Sequence, residues 1–218
     1  MSELRQPTPP SDTHASSQTL QRLRALPVAV VGDVMDRLGI MNSAIGPVWG
    51  GARLAGRAVT VWTRAGDNKT IHEALPLVKR DDVIVVNGEG DVSRALIGEL
   101  IGRRAQVAGA AGFVIDGAVR DATGLEELGV PTFARAVTPA GPYKFGPGRI
   151  NVPVAVGGVV VQPGDYVSGD EDGVVVISPN QIDDVLDAAE AKARREIDIL
   201  ESIGRDAPPS SEPAHQNS

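Results

Sequence analysis

Three polar residues, Glu99, Arg120 and Asp121, have the types and the spacing that best suit chemistry in this 218-residue chain. The apolar run that begins at Gly112 predicts a buried strand that delivers Arg120 and Asp121 to its end, where open α/β sheets bind ligands. A carboxylate there can hold a hard divalent cation, and a guanidinium can clamp an anionic group. The alternative is a solvated turn in which the two charges only face water.

Glu99 precedes Arg120 with twenty residues between them, and it interrupts an otherwise apolar helical stretch. A glutamate that simply faces water is the alternative.

Lys69 and Lys79 lie near apolar segments, but neither has an evident desolvating environment that would favour a Schiff base. His72 is the one histidine between the tails, and a structural role is its simplest interpretation.

The loop after the Asp82–Asn87 run does not match a nucleotide-binding pattern. Gly88 and Gly90 supply two glycines, but Ser93 stands at the third position of the dinucleotide fingerprint, and no P-loop occurs. The backbone amides of this loop could still receive a carboxylate or phosphate, with a plain turn as the alternative.

Valine-rich runs alternate with helical patterns, which predicts an α/β fold. Continuous apolar runs predict strands that are buried on both faces, and Val152–Val161, broken at Gly157-Gly158, predicts an antiparallel pair. The other predicted strands are Arg57–Thr63, Asp82–Asn87, Gly112–Asp116, Pro131–Ala134 and Asp172–Ile177, and the predicted helices are Val30–Leu38, Ser93–Val107 and Ile182–Ile203.

Composition predicts one domain over residues 20–204 between polar tails at 1–19 and 205–218. The absence of cysteine excludes disulfides and cysteine metal sites. A net charge of −7 and 3% aromatic residues argue against nucleic-acid binding. Because the longest apolar stretch is too short to cross a bilayer and no signal peptide is evident, we expect a cytoplasmic protein without membrane association.

Several motifs in order along the chain resemble the RraA-like family, over roughly Leu20–Ile203. The family contains class II 4-hydroxy-4-methyl-2-oxoglutarate and 4-carboxy-4-hydroxy-2-oxoadipate aldolases and a regulator that inhibits ribonuclease E. The resemblance implies a swivelling α/β/β/α sandwich, assembly into homotrimers or homohexamers, and a site between subunits. The motifs that carry it are Gly98-Glu-Leu100, Gly112–Asp121, Pro163-Gly-Asp165, Asp170–Val176, and Gly66-Asp-Asn68 with His72.

The resemblance also implies a role for each site residue. Asp121 would ligate Mg²⁺ or Mn²⁺, and Glu99 would hold water bound to that ion. Arg120 would bind the pyruvyl carboxylate or the enolate oxygen. The backbone amides of Gly98, Glu99, Leu100 and Ile101 would receive the same pyruvyl group.

Two positions depart from the aldolase pattern. Many aldolases of the family have an acidic residue where this chain has Gly124, although Glu126 and Glu127 follow, and they commonly have aspartate in place of Glu99. The family also uses a glutamate from the neighbouring subunit's C-terminal helix, for which Glu190 and Glu196 are the candidates.

We therefore expect a metal-dependent aldolase that releases pyruvate from a 4-hydroxy-2-oxo di- or tricarboxylic acid, with oxaloacetate decarboxylation as a side activity. The loops at Gly66–Lys69 and Thr138–Arg149 are expected to set specificity. The alternative is a non-catalytic regulator that binds ribonuclease E or another protein. A methyltransferase name attached to some relatives would require a nucleotide-cofactor loop, which the failed glycine pattern disfavours.

Overall fold

A computed structural model describes residues 17–206, with side chains described as far as residue 203. Most of both predicted tails lies outside these residues. The first helix begins at Ser17, so the last three residues of the predicted N-terminal tail are helical. The described helices are α1 (Ser17–Ala25), α2 (Val28–Val34), α3 (Lys69–Ala74), α4 (Glu99–Ala108), α5 (Ala122–Glu127) and α6 (Ile182–Asp206), with a short 3₁₀ turn at Leu75–Leu77.

The strands form one nine-stranded sheet and a separate two-stranded hairpin. Strands β2, β3, β5 and β6 are parallel neighbours, and β4 also runs parallel to β5. The two edge strands β1 and β11 lie close together, so the sheet nearly closes. The strands are β1 (Gly46–Pro47), β2 (Leu54–Thr63), β3 (Asp82–Asn87), β4 (Ala95–Ile97), β5 (Gly112–Val119), β6 (Thr132–Val137), β7 (Gly148–Ile150), β8 (Val154–Val156), β9 (Val159–Val161), β10 (Tyr166–Asp170) and β11 (Gly173–Ile177).

Alternate side chains of the central strands enter different cores, which confirms the α/β prediction and its layers. In β3, Val83 and Val85 face the space between the two halves of the sheet, whereas Ile84 and Val86 face the helices α3 and α4. Helices α1, α2 and α6 cover the outer face of β2, β10 and β11 with a third core. The valine-rich runs contain consecutive apolar residues because both faces of these strands are buried.

The predicted helix Ser93–Val107 is wrong in its first part. Residues Ala95–Ile97 form β4, which pairs with β5, and the helix begins only at Glu99. Leu96 and Ile97 are buried, but Leu100 is 75% exposed, so the apolar spacing of four does not mark one buried face. Pairing with a distant strand outweighs the local helical pattern.

The other predicted elements occur, β3 at its predicted bounds and the rest with shifted ends. The antiparallel pair within Val152–Val161 is confirmed as β8 and β9, with positive φ angles at Gly157 and Gly158 in the turn. Helix α2 ends four residues before the predicted end, and Asp36 and Arg37 beyond it have positive φ angles.

The C-terminal helix α6 packs on its own sheet only along its first half. Ile182, Val185, Leu186 and Ala189 are buried in the core that it shares with α1 and α2, whereas three later apolar residues of the helix are exposed: Ile197, Leu200 and Ile203. Within residues 17–206, no helix combines the length and apolarity required to cross a membrane.

Candidate active site

The parallel pair β4 and β5 positions the three residues that were predicted to do chemistry. The carboxyl ends of parallel neighbours meet at one edge of the sheet. Gly98 and Glu99 follow β4 there, and Arg120 and Asp121 follow β5, with the Arg120 amide donating to the Ile97 carbonyl at 3.0 Å. Glu99 and Asp121, which are 22 positions apart in sequence, therefore become neighbours.

Asp121 links the ends of both strands through one carboxylate oxygen. Its Oδ2 accepts a hydrogen bond from the Glu99 amide at 3.2 Å and lies 3.4 Å from Nε of Arg120. Asp121 has left-handed backbone angles, φ 54° and ψ 45°, which few residues other than glycine, asparagine and aspartate adopt readily. The tight turn folds the carboxylate back onto the start of α4.

This close approach depends on Gly98 having no side chain. A Cβ atom at Gly98 would lie 2.4 Å from Oδ2 of Asp121 and 2.8 Å from Cγ of Arg120. The backbone of Gly98 is extended, with φ −159°, so glycine is needed here for space and not for its conformational freedom. Because Gly98 has no Cβ atom, both functional side chains can lie against the end of β4.

The side chain of Glu99 lies over Gly124, the position where the aldolase pattern has an acidic residue. A Cβ atom at Gly124 would lie 2.8 Å from Oε2 of Glu99 and 2.9 Å from its Cγ. The longer glutamate therefore occupies space that a side chain at position 124 would fill. The two departures from the family pattern are thus connected in space.

A cavity of about 420 Å³ opens beside these residues. Gly98, Leu100, Ile101 and Arg120 lie on its wall. Glu99, also predicted to bind substrate, and Asp121 are not among the lining residues, although Asp121 lies beside Gly98 and Arg120. Its polar lining is mainly positive: Arg104, Arg120 and Lys144, with the amide of Asn68 and the ring of His72. The charge favours a ligand with more than one anionic group.

His72 is held neutral on this wall. Its Nδ1 lies 3.2 Å from Nη1 of Arg104, and because arginine can only donate, Nδ1 accepts and the proton resides on Nε2. Burial, together with the positive charges of Arg104 and Lys144, lowers the pKa of His72. The ring therefore presents an N–H and no free lone pair, which excludes it as a general base in this arrangement.

Asp67 fastens the two loops that complete the cavity. Its buried carboxylate accepts hydrogen bonds from the amides of Lys69 (2.9 Å), Phe145 (2.6 Å) and Gly146 (2.9 Å). Burial opposes ionisation of Asp67, but these amide bonds and the charge of Arg64 outweigh it and lower its pKa. We call these three contacts of the Asp67 carboxylate the Asp67 clasp. Asn68 and Lys144 are adjacent to it in sequence and are thereby placed on the cavity wall.

The predicted anion-binding amides are only partly available. The amide of Glu99 is taken by Asp121 and that of Ile101 by the Gly98 carbonyl, whereas the Leu100 amide has no hydrogen-bond partner within residues 17–206. The glycine loop after β3 is unsuited to anions, because the amides of Gly88 and Gly90 donate to the Asp116 carbonyl. A plain turn is the correct interpretation of that loop.

The donor set fits a largely hydrated divalent ion and not a fully caged one. No cluster of three or more acidic or histidine side chains suitable for a metal occurs in the described part of the chain. Oδ1 of Asp121 makes no hydrogen bond to the described residues, and the Glu99 carboxylate lies nearby over Gly124. Mg²⁺ commonly binds through one or two carboxylates and keeps several waters.

The two candidate glutamates of α6 are engaged within the same chain. Glu190 pairs with Arg22 at 2.7 Å, and Glu196 pairs with Lys192 at 2.9 Å.

Two residues of the cavity wall, Arg104 and Lys144, were not predicted as site residues. Lys144 lies in the loop expected to set specificity, and Arg104 is one turn beyond Ile101 on α4; its position in the helix was the only available signal.

The chain is similar to known proteins in both sequence and fold. Over 180 residues, the chain is 38% identical to a protein of Halalkalibacterium halodurans that is provisionally named a 4-hydroxy-4-methyl-2-oxoglutarate aldolase, covering 83% of this chain and 86% of the relative. A Pseudomonas syringae structure without a described function superposes with a TM-score of 0.80 at 26% identity, covering 88% of this chain and 95% of that one.

A second structure, named the RNA-processing inhibitor RraA of Thermus thermophilus, superposes with a TM-score of 0.64 at 34% identity, covering 69% of this chain and 92% of that one. Residues 28–176, which include both strand ends of the site, match the family described as RraA-like, Aldolase/RraA. This chain belongs to the RraA-like family.

Proposed function

We propose that the chain is a class II aldolase that cleaves a 4-hydroxy-2-oxo di- or tricarboxylic acid of the 4-hydroxy-4-methyl-2-oxoglutarate type to pyruvate. Oxaloacetate decarboxylation is the proposed side activity. The observation that carries the proposal is the ion pair of Arg120 and Asp121, which lies beside Gly98 and next to a positively charged cavity. The name of the relative from Halalkalibacterium halodurans supports it.

Cleavage of the substrate requires a group that stabilises the electron pair of the broken carbon–carbon bond. When the bond between C3 and C4 breaks, its electron pair forms the enolate of pyruvate, and the C4 hydroxyl gives its proton to a water molecule as C4 becomes a carbonyl carbon. Uptake of a proton from water at C3 then converts the enolate to pyruvate. The guanidinium of Arg120 lies where it can bind the carboxylate or the enolate oxygen of the three-carbon fragment. The free amide of Leu100, at the start of a ten-residue helix, offers a second donor to the same fragment.

Asp121 and Glu99 are the proposed holders of Mg²⁺ or Mn²⁺. When bound, such an ion would supply positive charge beside the developing enolate and lower the pKa of the water bound to it. No Schiff base is required, and the lysines do not favour one. Lys69 is 52% exposed beside Glu73, and Lys144 is exposed at the rim, so neither is desolvated enough to become a nucleophile.

Pyruvate release from 4-hydroxy-4-methyl-2-oxoglutarate, measured with and without EDTA, tests the proposal. We expect EDTA to abolish release and added Mg²⁺ or Mn²⁺ to restore it. Asp121→Ala is expected to lower kcat/KM at least about 100-fold, whereas Asp198→Ala, at an exposed aspartate of α6, is expected to leave it unchanged. EDTA-insensitive turnover or full activity of Asp121→Ala would refute the assignment.

Assembly into homotrimers or homohexamers is part of the proposal. The exposed apolar side chains Ile197, Leu200 and Ile203 on α6 favour a contact with another subunit. Light scattering on the purified protein tests this directly, and a monomer at micromolar concentration would refute it.

A regulator that binds a ribonuclease is the second candidate, because one structural neighbour is named an RNA-processing inhibitor. A pull-down with ribonuclease E beside the pyruvate assay separates the two functions. Capture of the nuclease without pyruvate release would favour the regulator.

A further inference from the structure

One buried acceptor on the cavity wall has no partner. The side chain of Asn68 is 3% exposed and lines the cavity, yet its Oδ1 makes no hydrogen bond to any residue that the structure describes. Buried polar atoms are nearly always hydrogen-bonded, and an exception calls for a functional reason. An unpaired acceptor in a ligand cavity indicates a donor on the ligand.

The orientation of this amide is determined by its surroundings. Nδ2 of Asn68 donates to the Leu96 carbonyl at 3.0 Å, and a flipped amide would set two acceptor oxygens against each other. The backbone also holds the residue, because the Asn68 amide donates to the Tyr143 carbonyl at 3.0 Å, beside the Asp67 clasp. Oδ1 is therefore left without a partner among the described residues, on a residue that lines the cavity.

The other polar side chains of the lining are hydrogen-bond donors. Arg104, Arg120 and Lys144 only donate, and His72 has its acceptor nitrogen occupied by Arg104. Anionic groups of a ligand are thus matched by these cations. A neutral hydroxyl, which must donate its proton to an acceptor, has Asn68 as its partner.

We propose that Oδ1 of Asn68 accepts a hydrogen bond from the C4 hydroxyl of the substrate and so selects 4-hydroxy-2-oxo acids over 2-oxo acids that lack this group. The inference rests on the proposed function. Asn68 is a specificity-determining residue, because an amide oxygen is too weak a base to remove the proton itself. Oxaloacetate has no such hydroxyl, so its decarboxylation does not use the contact.

The test compares two substrates on one sample of each variant. In Asn68→Ala, we expect kcat/KM for 4-hydroxy-4-methyl-2-oxoglutarate to fall about 10- to 100-fold, while kcat/KM for oxaloacetate changes less than about threefold. The ratio of the two values does not depend on the fraction of folded protein. Asn180→Ala, the same substitution at an exposed asparagine outside the cavity, is the matched control and is expected to change neither value.

If Asn68→Ala does not fold, Asn68→Gln provides the second variant, because its amide retains both a donor and an acceptor oxygen; we expect any loss of kcat/KM to be confined to 4-hydroxy-4-methyl-2-oxoglutarate. Equal losses on both substrates in the variant that folds would overturn the inference and assign Asn68 a structural role. Absence of pyruvate release from either substrate by the wild-type protein would instead refute the proposed function.

Discussion

Gly98→Ala is the sharpest test of how the site is built. The added Cβ would lie 2.4 Å from Oδ2 of Asp121 and 2.8 Å from Cγ of Arg120, whereas ordinary contacts begin at 3.4 Å. Oδ2 of Asp121 must therefore move by about 1 Å and Cγ of Arg120 by about 0.6 Å to reach an ordinary contact. A displacement of about 1 Å costs about 100-fold in rate when it affects reacting groups. The corresponding loss of transition-state stabilisation is about 2.7 kcal/mol.

Stability should change little in the same variant. The backbone of Gly98 is extended and compatible with alanine, and the side chains of Arg120 and Asp121 are 40% and 43% exposed, so they can turn toward solvent. A change in the free energy of unfolding within about 1 kcal/mol corresponds to less than about 4 °C in Tm for a chain of this length.

The assay couples pyruvate release from 4-hydroxy-4-methyl-2-oxoglutarate to NADH oxidation, with thermal unfolding measured in parallel. Gly50→Ala is the matched control, since a Cβ there would meet no atom within 4 Å. We expect it to retain wild-type activity. Full activity of Gly98→Ala would refute the view that the contact across Gly98 sets the working geometry.

Two further predictions follow from the loops and from the Glu99 contact. Asp67→Asn is expected to cost about 1.5–3 kcal/mol of stability at pH 7, because the bonds of a charged acceptor to three amides are lost. Because the folded pKa of Asp67 is lowered, its stabilisation is complete above the unfolded value of 3.8 and is lost as the pH falls below it; urea unfolding at pH 7 and pH 3.5 should therefore show a smaller acid loss in Asp67→Asn. Gly124→Ala is expected to displace Glu99 and lower kcat/KM about tenfold with an unchanged Tm; wild-type kinetics would show that Glu99 does not need this position.

The parts of the fold that the sequence predicts are those decided by burial on both faces. The run Asp82–Asn87 is apolar at four consecutive positions and forms β3 at the predicted bounds. The same logic located Arg120 and Asp121, because they directly follow the buried strand β5. A polar pair after such a strand reaches the sheet edge in any fold of this class.

The parts that could not be predicted depend on distant contacts. The strand β4 is only three residues long, and its leucine and isoleucine spacing imitates a helix; pairing with β5 decides its form. The contact between Asp67 and the Phe145 amide joins residues 78 positions apart. No local sequence pattern predicts the contact between Asp67 and Phe145, which places Lys144 and Asn68 on the same wall of the cavity.

The Asp67 clasp also divides the cavity into two parts with different freedom to vary. The part around Gly98, Arg120 and Asp121 lies at the ends of the paired strands β4 and β5 inside the sheet. A single methyl group added at Gly98 would clash there with Asp121 and Arg120. The opposite part is carried by two loops whose shape depends on one aspartate and on backbone amides, which every residue except proline provides. Side chains such as Lys144 can therefore be exchanged by mutation without disturbing Arg120 and Asp121. Under the proposed function, a different substrate tail could be accommodated there while the residues proposed to act in bond cleavage stay the same.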